Sequence, residues 1–247
     1  MAYACEFDGG HSGENALGLI VLKTDETLEV ESRQVFARAG IACYHARIEN
    51  HALVTNETLA QMAADLPATA ALLPTGVEFG AVGYACTSGA TVIGPENVAA
   101  AVNAHHPRSP VSNPVTAVMA ALNALGAKNI GVLTPYLPEV TAEMQNLLQE
   151  NGFRVVRLES FEQIEDRKIA RISEASTLAA ILEIGRDPAT EAVFASCTNL
   201  RSFGVLEAAE ARLGKPVISS NQALCWHMLK LAGMDVRAMG PGRLFNL

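Results

Sequence analysis

Two cysteines in this chain sit in matched surroundings, Cys86 in GYACTSGATVIGPENV and Cys197 in FASCTNLRSFGVLEAA. Each closes an apolar run, is followed by Thr and then by a polar residue, and leads into a predicted helix. A thiol at a strand end ahead of a helix lies among backbone N–H groups, which stabilise a thiolate and hold a carboxylate. Arg201 is close enough to Cys197 in sequence to add positive charge. A single cysteine in such a place reads as packing, because Cys is a small apolar residue often buried at strand ends. A pair at equivalent positions, each with its Thr neighbour, points to chemistry at the thiols on a small carboxylate-bearing substrate. Cys5, Cys43 and Cys225 have no counterparts, and their expected role is packing.

The elements that carry these thiols alternate in type. Short β-branched runs predict strands at 17–22, 41–48, 78–85, 129–134, 153–158, 192–196 and 216–219, with helices between them, such as 138–150, which starts on Pro138 and stops before Gly152. This is the pattern of parallel βαβ units, and the fold class is α/β. The second half restates the first. GLIVLKTDETLEVESRQVFARAGIACYHARIE matches IGVLTPYLPEVTAEMQNLLQENGFRVVRLES, the two cysteine segments match, and PVSNPVTAVMAALNALGA matches PVISSNQALCWHMLKLAGM, at separations of 113, 111 and 106 positions. Two like halves pack about a pseudo-dyad, which makes Cys86 and Cys197 face each other beyond the carboxyl ends of the strands, where open parallel sheets bind ligands. The expected halves are 1–113 with 219–247, and 114–218.

Composition excludes other classes. A formal charge of −8, with Lys and Arg scattered, opposes binding to nucleic acid or anionic lipid. The start MAYACEFDGGHSGEN has neither a basic nor an apolar leader region, and no apolar run is long enough to cross a bilayer, so a cytoplasmic location is expected. Five cysteines without a CxxC pair suggest neither a disulfide framework nor a zinc ribbon, and the histidines lack metal spacing. There is no GxxxxGK[ST], GxSxG or GxGxxG motif; Gly89 and Gly94 are expected to permit the turn and bind no nucleotide. No metal and no cofactor is implied.

Taken together, GLIVLKTDETLE, GYACTSGATVIG, GVLTPY, SCTNLR and SSNQALCWHML resemble the aspartate/glutamate racemase superfamily, within it the maleate cis-trans isomerase and arylmalonate decarboxylase branch, over nearly the whole chain. The resemblance implies two flavodoxin-like domains with the site in the cleft between them, no cofactor, and a homo-oligomer. Decarboxylases of the branch resemble single-cysteine enzymes, and the presence of both thiols here argues against decarboxylation. In maleate isomerases the first cysteine adds to the alkene and the second handles the proton, which carries over to Cys86 and Cys197; in the racemases the pair acts as two bases on opposite faces of a carbon. Tyr136 matches a ligand of the substrate carboxylate, and Thr87, Ser88, Thr198 and Asn199 belong to the binding turns. Asp25 and Asp166 stand where maleate isomerases carry ligand Asn residues. The TDET and CTSG pattern is similar to the ectoine-utilisation proteins of the branch. An ionised Asp25 in the site opposes a dianion by on the order of 4 kcal/mol at ~4 Å and favours a substrate nitrogen beside one carboxylate; alternatively Asp25 only caps the next helix. The expected activity is isomerisation, with racemisation and ligand binding without chemistry as alternatives.

Overall fold

The computed structural model describes residues 2–10 and 15–247. The first repeat runs β1 (Ala16–Leu22), α1 (Leu28–Ala39), β2 (Ala42–Ile48), α2 (Asn56–Ala70), β3 (Phe79–Ala85), α3 (Thr87–Ile93), α4 (Pro95–Asn103), β4 (Val111–Ser112) and α5 (Pro114–Leu125). The second runs β5 (Asn129–Thr134), α6 (Pro138–Glu150), β6 (Arg154–Ser160), α7 (Asp166–Ile169), α8 (Glu174–Gly185), β7 (Ala192–Ala195), α9 (Phe203–Leu213), β8 (Val217–Ser219) and α10 (Ser220–Leu231), before a final 3₁₀ turn, Arg243–Asn246. The strands form two parallel four-stranded sheets, β2-β1-β3-β4 and β6-β5-β7-β8, so the order of the first sheet is repeated in the second. This is the duplicated α/β architecture expected.

Burial explains the strand compositions. β1, β3, β5 and β7 lie inside their sheets and are almost wholly buried, which suits their continuous apolar runs, whereas the edge strands β2 and β6 alternate with polar residues. The seven predicted strands are present with small boundary differences. β4 has no sequence prediction because only Val111 and Ser112 pair with β3 before Asn113 and Pro114 start the next helix.

The two repeats are laced together by polar side chains. Glu31 of α1 accepts the N–H groups of Ser202 (2.8 Å) and Phe203 (2.9 Å) at the start of α9, and the Asn221 amide of α10 (2.7 Å). α10 packs on β3, α1 and α5, while α5 also touches β8. Among the described residues no helix is long and apolar enough to cross a membrane.

Candidate active site

Cys86 follows β3 directly and is the N-cap of α3, in relaxed extended backbone (φ −146°). Its Sγ accepts the Gly89 N–H at 3.2 Å, with Ser88 Oγ at 3.7 Å. Position 89 has to be glycine, because a Cβ there lies 2.5 Å from the Tyr84 hydroxyl and 2.9 Å from the Cys86 sulfur.

Cys197 is arranged differently. It has φ 124°, a conformation that L side chains rarely adopt, and Asn199 N–H donates to its Sγ at 3.3 Å. The chain does not run straight on into a helix as expected: residues 198–202 form a loop and α9 begins only at Phe203. The loop exists because its polar groups are tied elsewhere. Asn199 accepts the Glu26 N–H (2.9 Å) and donates to the Asp166 carbonyl (3.2 Å), while Ser202 and Phe203 are held by Glu31.

Both thiols line one cavity of about 20 Å³, together with Ser88, Tyr136, Asp166 and Thr198. That is the space of roughly one water. One side of the cavity is formed by a strap between β2 and α2. This strap, residues 50–54, supplies Asn50, His51, Leu53 and Val54, and pairs with the second half through the Leu53–Glu165 bridge and the bonds Val54 N–H to Ile164 O (2.9 Å) and Asp166 N–H to Ala52 O (3.0 Å). None of the strap residues was expected from the sequence, although they follow the carboxyl end of β2, where parallel sheets place their ligands.

Three expected site residues stand outside the cavity lining. Thr87 donates to Ser220 Oγ (2.8 Å), and Asn199 lies behind Cys197. Asp25 caps α1: its Oδ1 accepts the N–H groups of Thr27 (2.9 Å) and Leu28 (2.8 Å), while its Oδ2 is buried and the Thr198 side chain is the polar group that acts on the carboxyl from the cavity side. Asp166 faces the cavity, and the Thr24 hydroxyl, itself a target of the Asn50 amide (2.7 Å), donates to it. Arg201 turns away, donating to the Ile172 carbonyl, so it brings no charge to Cys197. Cys225 is buried and Cys43 half-buried, as packing requires, but Cys5 is exposed and packs on nothing in the core.

The site electrostatics are set by burial. Burial pushes the Cys86 thiol up to about 12, against the Gly89 N–H and Ser88, which lower it. Burial and the nearby Asp166 push Cys197 upward too, against the Tyr136 hydroxyl and the Asn199 N–H. The donors expected around each sulfur are present, and burial outweighs them at both thiols. Burial also raises Asp25 to about 6 and Asp166 above the usual carboxylate range. Among the described residues the lining contains no Lys or Arg, and His51 is its one basic side chain. A larger cleft of about 430 Å³, between α1 and the start of α9, holds no cysteine.

Comparisons with known proteins agree on one family. The family model described as arylmalonate decarboxylase matches residues 97–245. The maleate isomerase of Pseudomonas putida is 25% identical over 242 residues, covering 93% of this chain and 96% of that protein. The arylmalonate decarboxylase of Bordetella bronchiseptica is 29% identical over 139 residues, 56% of this chain and 58% of that protein. Among solved structures, a mutant of Nocardia farcinica maleate cis-trans isomerase with a covalently bound succinylcysteine intermediate superposes with a TM-score of 0.84 at 22% identity, covering 94% of this chain and 98% of that one.

Proposed function

We propose, from the premise that this chain belongs to the arylmalonate decarboxylase family, that it is a cofactor-independent cis-trans isomerase of a small unsaturated carboxylate, similar to the maleate isomerases. The observation that carries the reading is the convergence of two repeat-equivalent thiols on one closed cavity, one of them held in strained backbone. Packing alone gives no reason to place a cysteine at φ 124°, since strain of this kind persists at functional sites where the surroundings impose it.

In the proposed sequence Cys86 first loses its proton to solvent as the site opens to admit substrate; its thiolate then forms a C–S bond to one alkene carbon, and the Cys197 thiol delivers its proton to the adjacent carbon. The former double bond is then single and rotates. Cys197, now thiolate, takes the proton back, the double bond re-forms and the C–S bond breaks, leaving Cys86 a thiolate and Cys197 a thiol, as before the addition. Ser88, Tyr136 and Thr198 offer hydroxyls to the substrate, and Asn199 holds Cys197. Closure of strap 50–54 excludes water from the adduct. The same reading takes 1–113 with 219–247 as one half, supported by the packing of α10 on β3 and α1, and 114–218 as the other. It also expects a homo-oligomer and a cytoplasmic site of action.

One observation favours a second reading, two-thiol racemisation of an amino acid: Asp166 faces the cavity and Asp25 lies behind it, while the lining has no Lys or Arg, an environment suited to a substrate ammonium. Incubation of maleate and a panel of small amino and unsaturated carboxylates in D₂O, followed by NMR, separates the two. Isomerisation of an unsaturated acid supports the first; deuterium at an α-carbon with loss of optical rotation supports the second. No exchange in any member of the panel removes both.

A further inference from the structure

The segment SSNQ, residues 219–222, is entirely buried, and its four side chains have separate duties. Ser219 caps α10 by accepting the Gln222 N–H (3.2 Å), Asn221 donates to Glu31 and to the Thr198 carbonyl, and Gln222 donates to the Pro241 carbonyl (2.7 Å). The hydroxyl of Ser220 is not needed for the helix. Its oxygen instead accepts the Cys197 N–H at 3.0 Å and the Thr87 hydroxyl at 2.8 Å.

We infer that Ser220 is a positioning residue for the thiol pair, holding Cys197 in its left-handed backbone conformation and tying that turn to the turn of Cys86 through Thr87. The inference rests on the thiol-pair reading above. The geometry supports it in three ways. The N–H that Ser220 accepts belongs to the strained residue itself, so the bond acts where the backbone resists. A second cross-link runs the opposite way, from the Thr198 hydroxyl to the Ala85 carbonyl (3.4 Å), so the residue after each cysteine is tied to the turn of the other, Thr87 through Ser220 and Thr198 directly. The equivalent first residue of α5 is Pro114, whose side chain has no polar atom, and the cysteine of that repeat, Cys86, is relaxed. The brace thus occurs where the strain is. The hydrogen bonds of Ser220 go to the backbone of Cys197 and to Thr87, and it acts through them.

The test uses Ser220→Ala, Ser220→Thr and Thr87→Val, with two readouts. The first is maleate turnover, in which Ser220→Ala is expected to lower kcat by ~10- to 100-fold with KM nearly constant, since a small displacement of a reacting group has effects of that order. Ser220→Thr, which keeps the hydroxyl, recovers part of the loss. The second is alkylation by iodoacetamide across pH, read at each cysteine by peptide mass spectrometry. In Ser220→Ala the Cys197 profile departs from wild type more than the Cys86 profile does. A lower Tm with kcat and the Cys197 profile both unchanged overturns the inference. Should Ser220→Ala fail to fold, Thr87→Val decides: a displaced Cys197 profile supports the tie, and an unmoved one overturns it. Alkylation needs no turnover, so a wild-type protein inert toward maleate counts against the isomerase reading and leaves the brace to be judged by Cys197.

Discussion

The turns that carry Cys86 and Cys197 are repeat equivalents in sequence and different objects in space. Cys86 sits in ordinary extended backbone as the cap of a helix that starts at the next residue, and its sulfur is satisfied three residues on, by Gly89. Cys197 is forced to φ 124°, is followed by a five-residue loop, and takes its N–H two residues on, from Asn199. A relaxed cap tolerates the rotation that a sulfur undergoes as it becomes bonded to carbon. A strained residue braced on several sides suits a group that moves a proton along a fixed line. The same short motif, Cys-Thr, has therefore been given two geometries, which matches the unequal roles proposed for them, Cys86 adding to the substrate and Cys197 transferring the proton.

The largest expected effects come from removing the thiols. Cys86→Ser and Cys197→Ser should each lower turnover by several orders of magnitude while the fold survives. They should differ in one respect: with maleate, Cys197→Ser accumulates an adduct on Cys86 detectable by intact-protein mass spectrometry, and Cys86→Ser accumulates none on Cys197. Equal adducts on both would erase the distinction between the turns.

Gly89→Ala comes next. The new Cβ collides with the Tyr84 hydroxyl and the Cys86 sulfur, so stability should fall by about 1–3 kcal/mol in urea unfolding, and Cys86 reactivity should change while Cys197 keeps its own.

Asp166→Asn sharpens the comparison through charge. A carboxylate beside a thiol raises it, and among the causes acting on Cys197 this one follows burial directly, whereas for Cys86 it ranks below the two lowering donors. Its removal should shift alkylation of both thiols to lower pH, Cys197 further than Cys86. The opposite order contradicts the assigned surroundings. Asp25→Asn should act more weakly on the substrate, because Asn keeps the cap of α1 and position 25 lies outside the cavity lining. A large gain in maleate turnover in this variant would show that the buried Oδ2 charge governs specificity after all.

The smallest effect is on stability. Burial pushes Glu31, which anchors the loop after Cys197, up to about 7 from an ordinary value of 4.5. The folded chain therefore holds this proton more tightly than the unfolded chain. The resulting stabilisation is complete below the unfolded value and is lost as pH rises through about 7. Glu31→Gln should flatten the fall in unfolding free energy between roughly pH 5 and pH 8. An unaltered slope would mean that other carboxyls, Asp25 among them, produce it.

Much of this was legible in the residues because it depends on local rules. Hydrophobic period gave the long strands, Pro138 and Gly152 the limits of α6, and the Cys-Thr repeats the two thiol turns, since each depends on a few consecutive side chains. β4 was too short to leave a period, and Asp25 could be read as cap or ligand because one carboxyl group serves either use. The strap residues Asn50 and His51 carry no motif of their own.

Sequence alone determined that this is a duplicated α/β chain with a matched pair of thiols at strand ends, for strand formation and repeat spacing are written in neighbouring residues. Only the tertiary structure decided that the matched turns are unequal. The strain at Cys197, the brace from Ser220 and the upward shift of both thiols all come from groups more than twenty positions away in sequence or from burial itself. Long-range hydrogen bonds and desolvation are properties of the packed chain, and no local pattern records them.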